Sequence, residues 1–361
     1  MSSDDLLSRI RLIRSQSIGP VTCRQLLTRF GDPEAALCAI PDLAVRGRKR
    51  PPVLFSEEAA RREMAAVEAC GARYLVLGHG LCPRALAQLD DAPPLLIVKG
   101  DTRLLDRPLV ALVGARNASA AACRFARGLA HDLAGEGVTV VSGLARGIDA
   151  AAHAGALDGG TIGVVAGGID IFYPPENEAL QRAMFDRALV VAEMPPGTEP
   201  RARHFPYRNR IIAGLSLGTV VIEAAPRSGS LITARLAAEM GRDVMAVPGS
   251  PLDPRAQGCN GLIRDGATLI QNAADVLEVV RPSAVGRVAS PRTSYDPVSS
   301  EPGEDDRRRV EDLLGPSPVP VDELVRLSGL PSGALQLVLL ELDLAGRIDR
   351  HAGGKVSLQP A

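Results

Sequence analysis

The sequence predicts an α/β protein: an extended Rossmann-like, doubly wound parallel sheet, with a small N-terminal helical domain and a C-terminal winged-helix domain. Three observations lead there. Near-continuous apolar runs alternate with helix-like segments through the middle of the chain. The first seventy residues show only helical periodicity. A Pro- and Ser-rich stretch then sets off a tail that reads as three helices and a hairpin. Strands buried on both faces and alternating with helices are the mark of a parallel sheet.

Residues 1–70 are assigned to the helical domain. "IGPVTCRQLLTRFGDPEAAL" has a Gly-Pro turn, then Leu26, Leu27 and Phe30 at helical spacing, and a stop at Gly31 and Pro33. It resembles a helix-hairpin-helix or sterile-alpha-motif-like unit. Residues 71–280 carry the sheet. "YLVLG" and "PLLIVKG" extend it, and "PLVALVG", "VTVVSG", "TIGVVAGG", "ALVVAE", "GTVVIEA" and "DVMAVPG" are strands, each followed by a turn and a helix-like segment. Residues 281–304, rich in Pro, Ser and charge without periodicity, read as a flexible linker. In 305–361, Val321 to Leu327 followed by "SGLPSGALQLVLLELDLAG" has helix-turn-helix spacing, and "GRIDRHAGGKVSL" supplies a wing.

Composition narrows the function. Of 361 residues 46% are hydrophobic and 23% charged, the proportions of a soluble globular protein. No apolar run reaches the roughly 20 residues that span a bilayer, and "MSSDDLLSRI" is not a signal peptide, so a cytoplasmic protein without a membrane partner is expected. The cysteines at 23, 38, 70, 82, 123 and 259 form no CxxC pair and read as reduced thiols. The five histidines show no ligand spacing, so no metal is expected. A net charge of −1 excludes a broad basic field; any nucleic-acid site must be a local concentration of arginine.

Ligands of open parallel sheets bind beyond the carboxyl ends of the strands. After the first parallel strand, Gly114 permits close backbone approach, Arg116 projects from the turn, and Asn117 or Ser119 can cap the next helix. The second strand leads into Ser142, Gly143, Arg146 and Gly147, the third into Gly167 and Gly168, and the fifth into Ser228, Gly229, Ser230 and Thr233. Small-residue turns of this kind present backbone N–H groups at a positive helix end, as a phosphate site requires. No lysine lies between Pro108 and Val280 and no GxGxxG is present, so neither nucleoside-triphosphate hydrolysis nor hydride transfer is supported, and no cofactor is expected. Glu193, Glu223 and Asp149 read as capping or arginine-orienting groups, and no catalytic residue is assigned.

"HFPYRNRIIAGLS" (204–216) follows the fourth strand. Phe205 or Tyr207 can stack a base, with Phe205 preferred, while Arg208 and Arg210 meet phosphate and Asn209 fixes the turn. Aromatic plus arginine is the formula for a single strand, because duplex bases expose no face to stack on.

Taken in order, "VGARNAS", "VSGLARGIDAAAH", "GGID…YP", "FPYRNRIIAGLS", "EAAPRSGSLITARLAAEMGRDVMAVPG" and "GCNGLIRDGATLI" closely resemble the DNA-processing protein A family (DprA, also called Smf), densely over about Leu95 to Leu277. The resemblance implies a non-catalytic cytoplasmic protein that binds and protects incoming single-stranded DNA in natural transformation and helps load the RecA recombinase. It also implies a homodimer built through the Rossmann domain. The family's DNA pocket maps onto Arg116, the Gly143–Gly147 turn, Phe205, Arg208 and Ser228–Ser230. In the tail, "SGALQLVLLELDLAG" has no basic residue, and residues 305–356 carry seven Lys or Arg against nine Asp or Glu, a net of −2. That balance favours a protein contact over duplex recognition, and DNA binding is expected not to need this module. Two other classes share parts of this pattern. A LOG-like nucleotide phosphoribohydrolase would carry PGGxGT where this chain has "PRSGSLITA", and a winged-helix regulator is disfavoured by the acidic balance.

Overall fold

The computed structural model describes residues 2–47, 52–78, 83–285, 301–351 and 353–359. It contains two compact units: one combines residues 1–62 with 289–361, the other is residues 63–288.

Helices α1 (Ser3–Arg14), α2 (Pro20–Phe30) and α3 (Pro33–Arg46) open the chain. Their limits follow local chemistry. The Ser2 hydroxyl accepts from the Asp5 N–H and the Asp32 carboxylate from the Ala35 N–H, while α2 and α3 each start on proline and α2 stops on Gly31 at φ 72°. After α4 (Glu57–Ala69) come β1 (Arg73–Val76), the short α5 (Arg84–Ala87) and β2 (Leu95–Gly100). The alternation then begins. It runs β3 (Leu109–Gly114), α6 (Ala120–Gly135), β4 (Thr139–Ser142), α7 (Ile148–Ala156), β5 (Thr161–Val165), α8 (Glu178–Arg187) and β6 (Leu189–Ala192). It continues with α9 (His204–Leu215), β7 (Gly218–Ile222), α10 (Gly229–Glu239), β8 (Asp243–Ala246), α11 (Gln257–Arg264), β9 (Thr268–Leu269) and α12 (Ala273–Val285).

The nine strands lie in the order β1-β2-β6-β5-β4-β3-β7-β8-β9. Strands β3 to β9 are mutually parallel, as the doubly wound pattern requires. The extension differs: β2 runs antiparallel to both β1 and β6. Among the described residues only the one-turn α5 lies between β1 and β2, and a connection without a longer crossover helix suits antiparallel neighbours. Alternation along β3 makes both faces core. Leu109, Ala111 and Val113 pack with Ile211, Ile212 and Leu215 of α9, and Val110 and Leu112 pack with Leu129 and Leu133 of α6 and with Ile148.

The assigned linker needs amending at its margins. Helix α12 continues through Val285, so 281–285 are helical. A new helix, α13 (Glu304–Leu313), starts at the other end, and 286–300 lie outside the described residues. The tail continues with β10 (Val319–Pro320), α14 (Val321–Ser328), α15 (Ser332–Leu344), β11 (Ile348–His351) and β12 (Lys355–Leu358), with the three strands antiparallel in the order β10-β12-β11. This is the winged helix, and its apolar core gathers Val310, Leu324, Leu335, Leu339, Ile348 and Val356. Cys23, Cys38, Cys70, Cys123 and Cys259 are free thiols; Cys82 lies outside the described residues.

Gly114 ends β3 against its neighbours. A Cβ there would lie 2.0 Å from the Ile222 carbonyl oxygen and 2.5 Å from Ile148 Cγ1, so the close approach it permits is to the protein's own backbone. Gly114→Ala is expected to destabilise the sheet unit by about 1–3 kcal/mol, read as a lower denaturant midpoint.

Candidate nucleic-acid interface

Helix α9 delivers the central side chains. Phe205 and Arg208 are three residues apart and therefore share a helix face, whereas Arg210, two residues past Arg208, points elsewhere. Phe205 and Arg208 line a pocket at the carboxyl ends of β3, β4 and β5, together with Arg116, Gly143, Arg146 and Gly167. Its outer wall is Tyr173, from the loop after β5. The rings of Tyr173 and Phe205 are 5.8 Å apart at 51°, and the Arg116 guanidinium lies 5.1 Å from the Phe205 ring centre, a cation–π contact. Tyr207 is exposed and does not line the pocket, and Asn209 is half-buried.

Arg208 forms the pocket's floor. It is only 6% exposed, and its Nη1 lies 4.0 Å from the Asp149 carboxylate. Its Nε is buried with no hydrogen-bond partner among the described residues. A Cβ on Gly143 would fall 1.2 Å from Arg208 Nη1, so glycine is what lets the guanidinium pass beneath the turn. Asp149 accepts from the Gly143 N–H at 3.1 Å and the Ala145 N–H at 3.4 Å, tying the turn to the start of α7. Burial pushes the Asp149 carboxyl up against the opposing pull of Arg208. Burial likewise lowers Arg208 to about 10, which leaves it cationic at neutral pH.

His153 completes the support. The Thr161 hydroxyl donates to the Val140 carbonyl at 2.8 Å, so it must accept from His153 Nδ1–H at 2.7 Å. That tautomer leaves Nε2 to accept from the Leu144 N–H at 3.4 Å, and Leu144 sits at φ 55°. Burial first, then the neighbouring Arg208 charge, depress the imidazole from 6.5 to about 3.

Several residues assigned to the site from sequence are placed differently. Arg210 is buried; it donates to the Asp91 carbonyl at 2.7 Å and to Glu193 at 2.5 Å, which makes it an internal brace and not a phosphate contact. Ser142 is buried, and its hydroxyl donates to the Leu112 carbonyl at 2.6 Å. Gly147, at φ 75°, packs on the Ala115 carbonyl oxygen, which a Cβ would approach to 2.3 Å. Gly168 packs against the Pro195 carbonyl and Asp170, not against the pocket.

Ser119 caps α6 by accepting from the Ala122 N–H, while its own N–H donates to Glu223 at 2.6 Å. That contact occupies the switch point between β3 and β7. Glu223, at φ 53°, sets its carboxylate where a nucleotide phosphate would sit on a Rossmann sheet, with Arg255 3.7 Å away. The α10 turn lies on the β7 side and is absent from the pocket's lining. There Ser228 caps the helix and bonds Ser230 at 2.8 Å, Gly229 is exposed, and Thr233 is buried. Tyr173 belongs to the motif "GGID…YP" after the third parallel strand but is not among the site residues assigned from sequence, and the His153–Thr161 support carries no sequence signal.

The class of protein is an α/β protein with a Rossmann-like sheet and, at its carboxyl edge, one pocket that combines arginines with aromatic rings. Residues 73–281 match the DNA recombination-mediator protein A family, residues 3–66 a DprA-like N-terminal HHH domain, and residues 295–354 a DprA winged helix domain. The chain belongs to the DNA recombination-mediator protein A family. It is 48% identical to the DNA processing protein DprA of Streptococcus pneumoniae over 197 residues, covering 54% of this chain and 70% of that one. The solved S. pneumoniae DprA structure superposes with a TM-score of 0.64 at 32% identity, covering 77% of this chain and 98% of that one. DNA processing protein A of Helicobacter pylori, solved for its single-stranded DNA binding mode, gives a TM-score of 0.53 at 30% identity over 58% and 97% of the two chains.

The His153 ring makes a pH prediction. The unfolded imidazole titrates near 6.5, but in the fold it stays neutral down to about 3. Its contribution is therefore complete above pH 6.5 and is lost as pH falls toward 3, where the unfolded state binds the extra proton. The melting temperature should drop from pH 7 to pH 4.5, and His153→Gln should be less stable at pH 7 with a flatter profile.

Proposed function

We propose that this chain binds single-stranded DNA in the Arg208 pocket, protecting incoming strands during natural transformation and helping to load the RecA recombinase. It acts in the cytoplasm as a homodimer joined through the Rossmann domain and catalyses no reaction on the strand. One observation carries the reading: a desolvated guanidinium, with a single carboxylate at 4.0 Å and an unpartnered Nε, lines the same pocket as Phe205. A phosphate would supply the missing acceptor and charge, and a base would take the aromatic wall. Arg116, Gly143, Arg146, Phe205 and Arg208 are the proposed contacts, with Tyr173 added. The single-strand binding named for the H. pylori relative supports the same assignment. Exposed Leu269 on the terminal strand β9 supports an association through that edge. The nucleotide-hydrolase alternative loses ground to Glu223, whose carboxylate already holds the α6 helix end.

Titration with oligo-dT, duplex and a nucleoside monophosphate tests this. Oligo-dT should bind far more tightly than either, with a log–log salt slope of roughly −0.7 per phosphate contacted. Equal affinity for duplex and single strand at physiological salt would sink the proposal. Phe205→Leu should cost about 1–3 kcal/mol of binding and leave the salt slope alone. Arg208→Lys keeps the charge but loses the planar fork, and should weaken binding by about 1.5–3 kcal/mol. Gly143→Ala should weaken binding with no change of charge, because its methyl collides with Arg208.

A further inference from the structure

We propose that the winged helix has an intramolecular partner, the chain's own N-terminal helical domain, and that its helix α15, the element such folds offer to a DNA groove, is sequestered in the core the two share. Four independent features of this unit point there.

The first is burial. Along α15, Leu335, Val338, Leu339 and Leu342 face the winged helix's own core, while Leu337, Leu340 and Leu344 join Leu12, Leu26, Leu37 and Ile40 of α1–α3. A helix apolar on both faces is a core helix, with no face left to lay in a groove. The second is a polar clamp that fixes register. Thr22 Oγ1 donates to Asp343 at 2.7 Å, Asp343 pairs with Arg350 at 2.8 Å, Arg350 donates to Gln25 at 3.1 Å, and Gln25 donates to Gln336 at 2.8 Å. Residues from both ends of the chain take part in it.

The third is Gly47, just past α3. Its φ of −73° suits any residue, so the backbone does not require glycine there. The space does: a Cβ would lie 2.2 Å from the Glu341 carbonyl oxygen and 2.8 Å from Ala345 Cβ. The fourth is charge. Glu341, 1% exposed, is held by Arg307 at 2.8 Å, and α15 has no basic side chain to meet phosphate. Duplex recognition is therefore closed to α15 by both cover and charge, and the two ends of the chain form one cooperative unit.

Hydrogen exchange on the full chain tests this through Gly47→Val, which wedges α3 from α15 without straining its own backbone. The amides of α15 and α3 should lose protection together, at least tenfold, while those of β3 to β7 keep theirs. If α15 retains wild-type protection in this variant, the winged helix stands alone and the proposal fails. Should Gly47→Val not fold, Thr22→Val removes one clamp bond at nearly constant volume and should speed exchange in α15 and α2 together about tenfold; acceleration in α2 alone refutes the proposal. Saturating duplex DNA should leave α15 exchange unchanged in the wild type, and slowed exchange there would overturn the sequestration.

Discussion

The Arg208 guanidinium runs beneath the Gly143 backbone with one carboxylate 4.0 Å away, and much of the sheet's carboxyl edge keeps it charged in that place. A buried ion is costly unless paired and hydrogen-bonded, and Asp149 offers only partial compensation because it also holds two backbone N–H groups. A protonated His153 would add a second positive charge beside it; burial keeps that ring neutral, so it supports the Leu144 turn without repelling Arg208. Arg208, Asp149 and neutral His153 sum to no net charge, and the positive charge beside them is that of Arg116, over the Phe205 ring. Gly143 follows from the same constraint, since no side chain fits between the turn and the guanidinium.

The other half of the edge is organised in the opposite sense. At the β3–β7 switch point, where Rossmann sheets usually receive phosphate, Glu223 accepts from Ser119 N–H and complements the α6 helix end from within. The two halves explain each other. On the β4 and β5 side the pocket gathers Arg116, Arg146 and Arg208, of which Arg146 pairs with Glu176 at 3.4 Å and Arg208 with Asp149 at 4.0 Å. A chain of net charge −1 can thus place three arginines in one pocket without a basic surface.

Much of the fold was legible because strand burial on both faces writes itself as uninterrupted apolar runs. Strand direction does not, so the antiparallel β2 could not be read from "PLLIVKG", and two-residue β9 is too short to show a period. Phe205 and Arg208 line one pocket because their i,i+3 spacing puts them on one helix face. Residue type alone does not show helical phase: Arg210 lies two residues past Arg208, a turn of about 200°, which carries it to Glu193. Ser142 failed for a related reason: it ends a strand buried on both faces, so its hydroxyl had to bond within the core. Tyr173 reaches Phe205 from another strand's loop, a contact that no local pattern encodes.

The tail shows the same limit from the other side. "LQLVLLELDL" is too apolar to be the solvent-facing half of anything, and its lack of basic residues favours a protein contact. What the pattern could not name was the partner, because the residues that cover α15 lie some 300 positions earlier in the chain. A helix–turn–helix signature specifies how two helices cross, not which surface the second one meets. Here that surface is filled by α2 and α3, whose own apolar faces would otherwise lack a cover. With both faces of α15 covered inside its own unit, an acidic tail with no basic residue on that helix is what its packing allows.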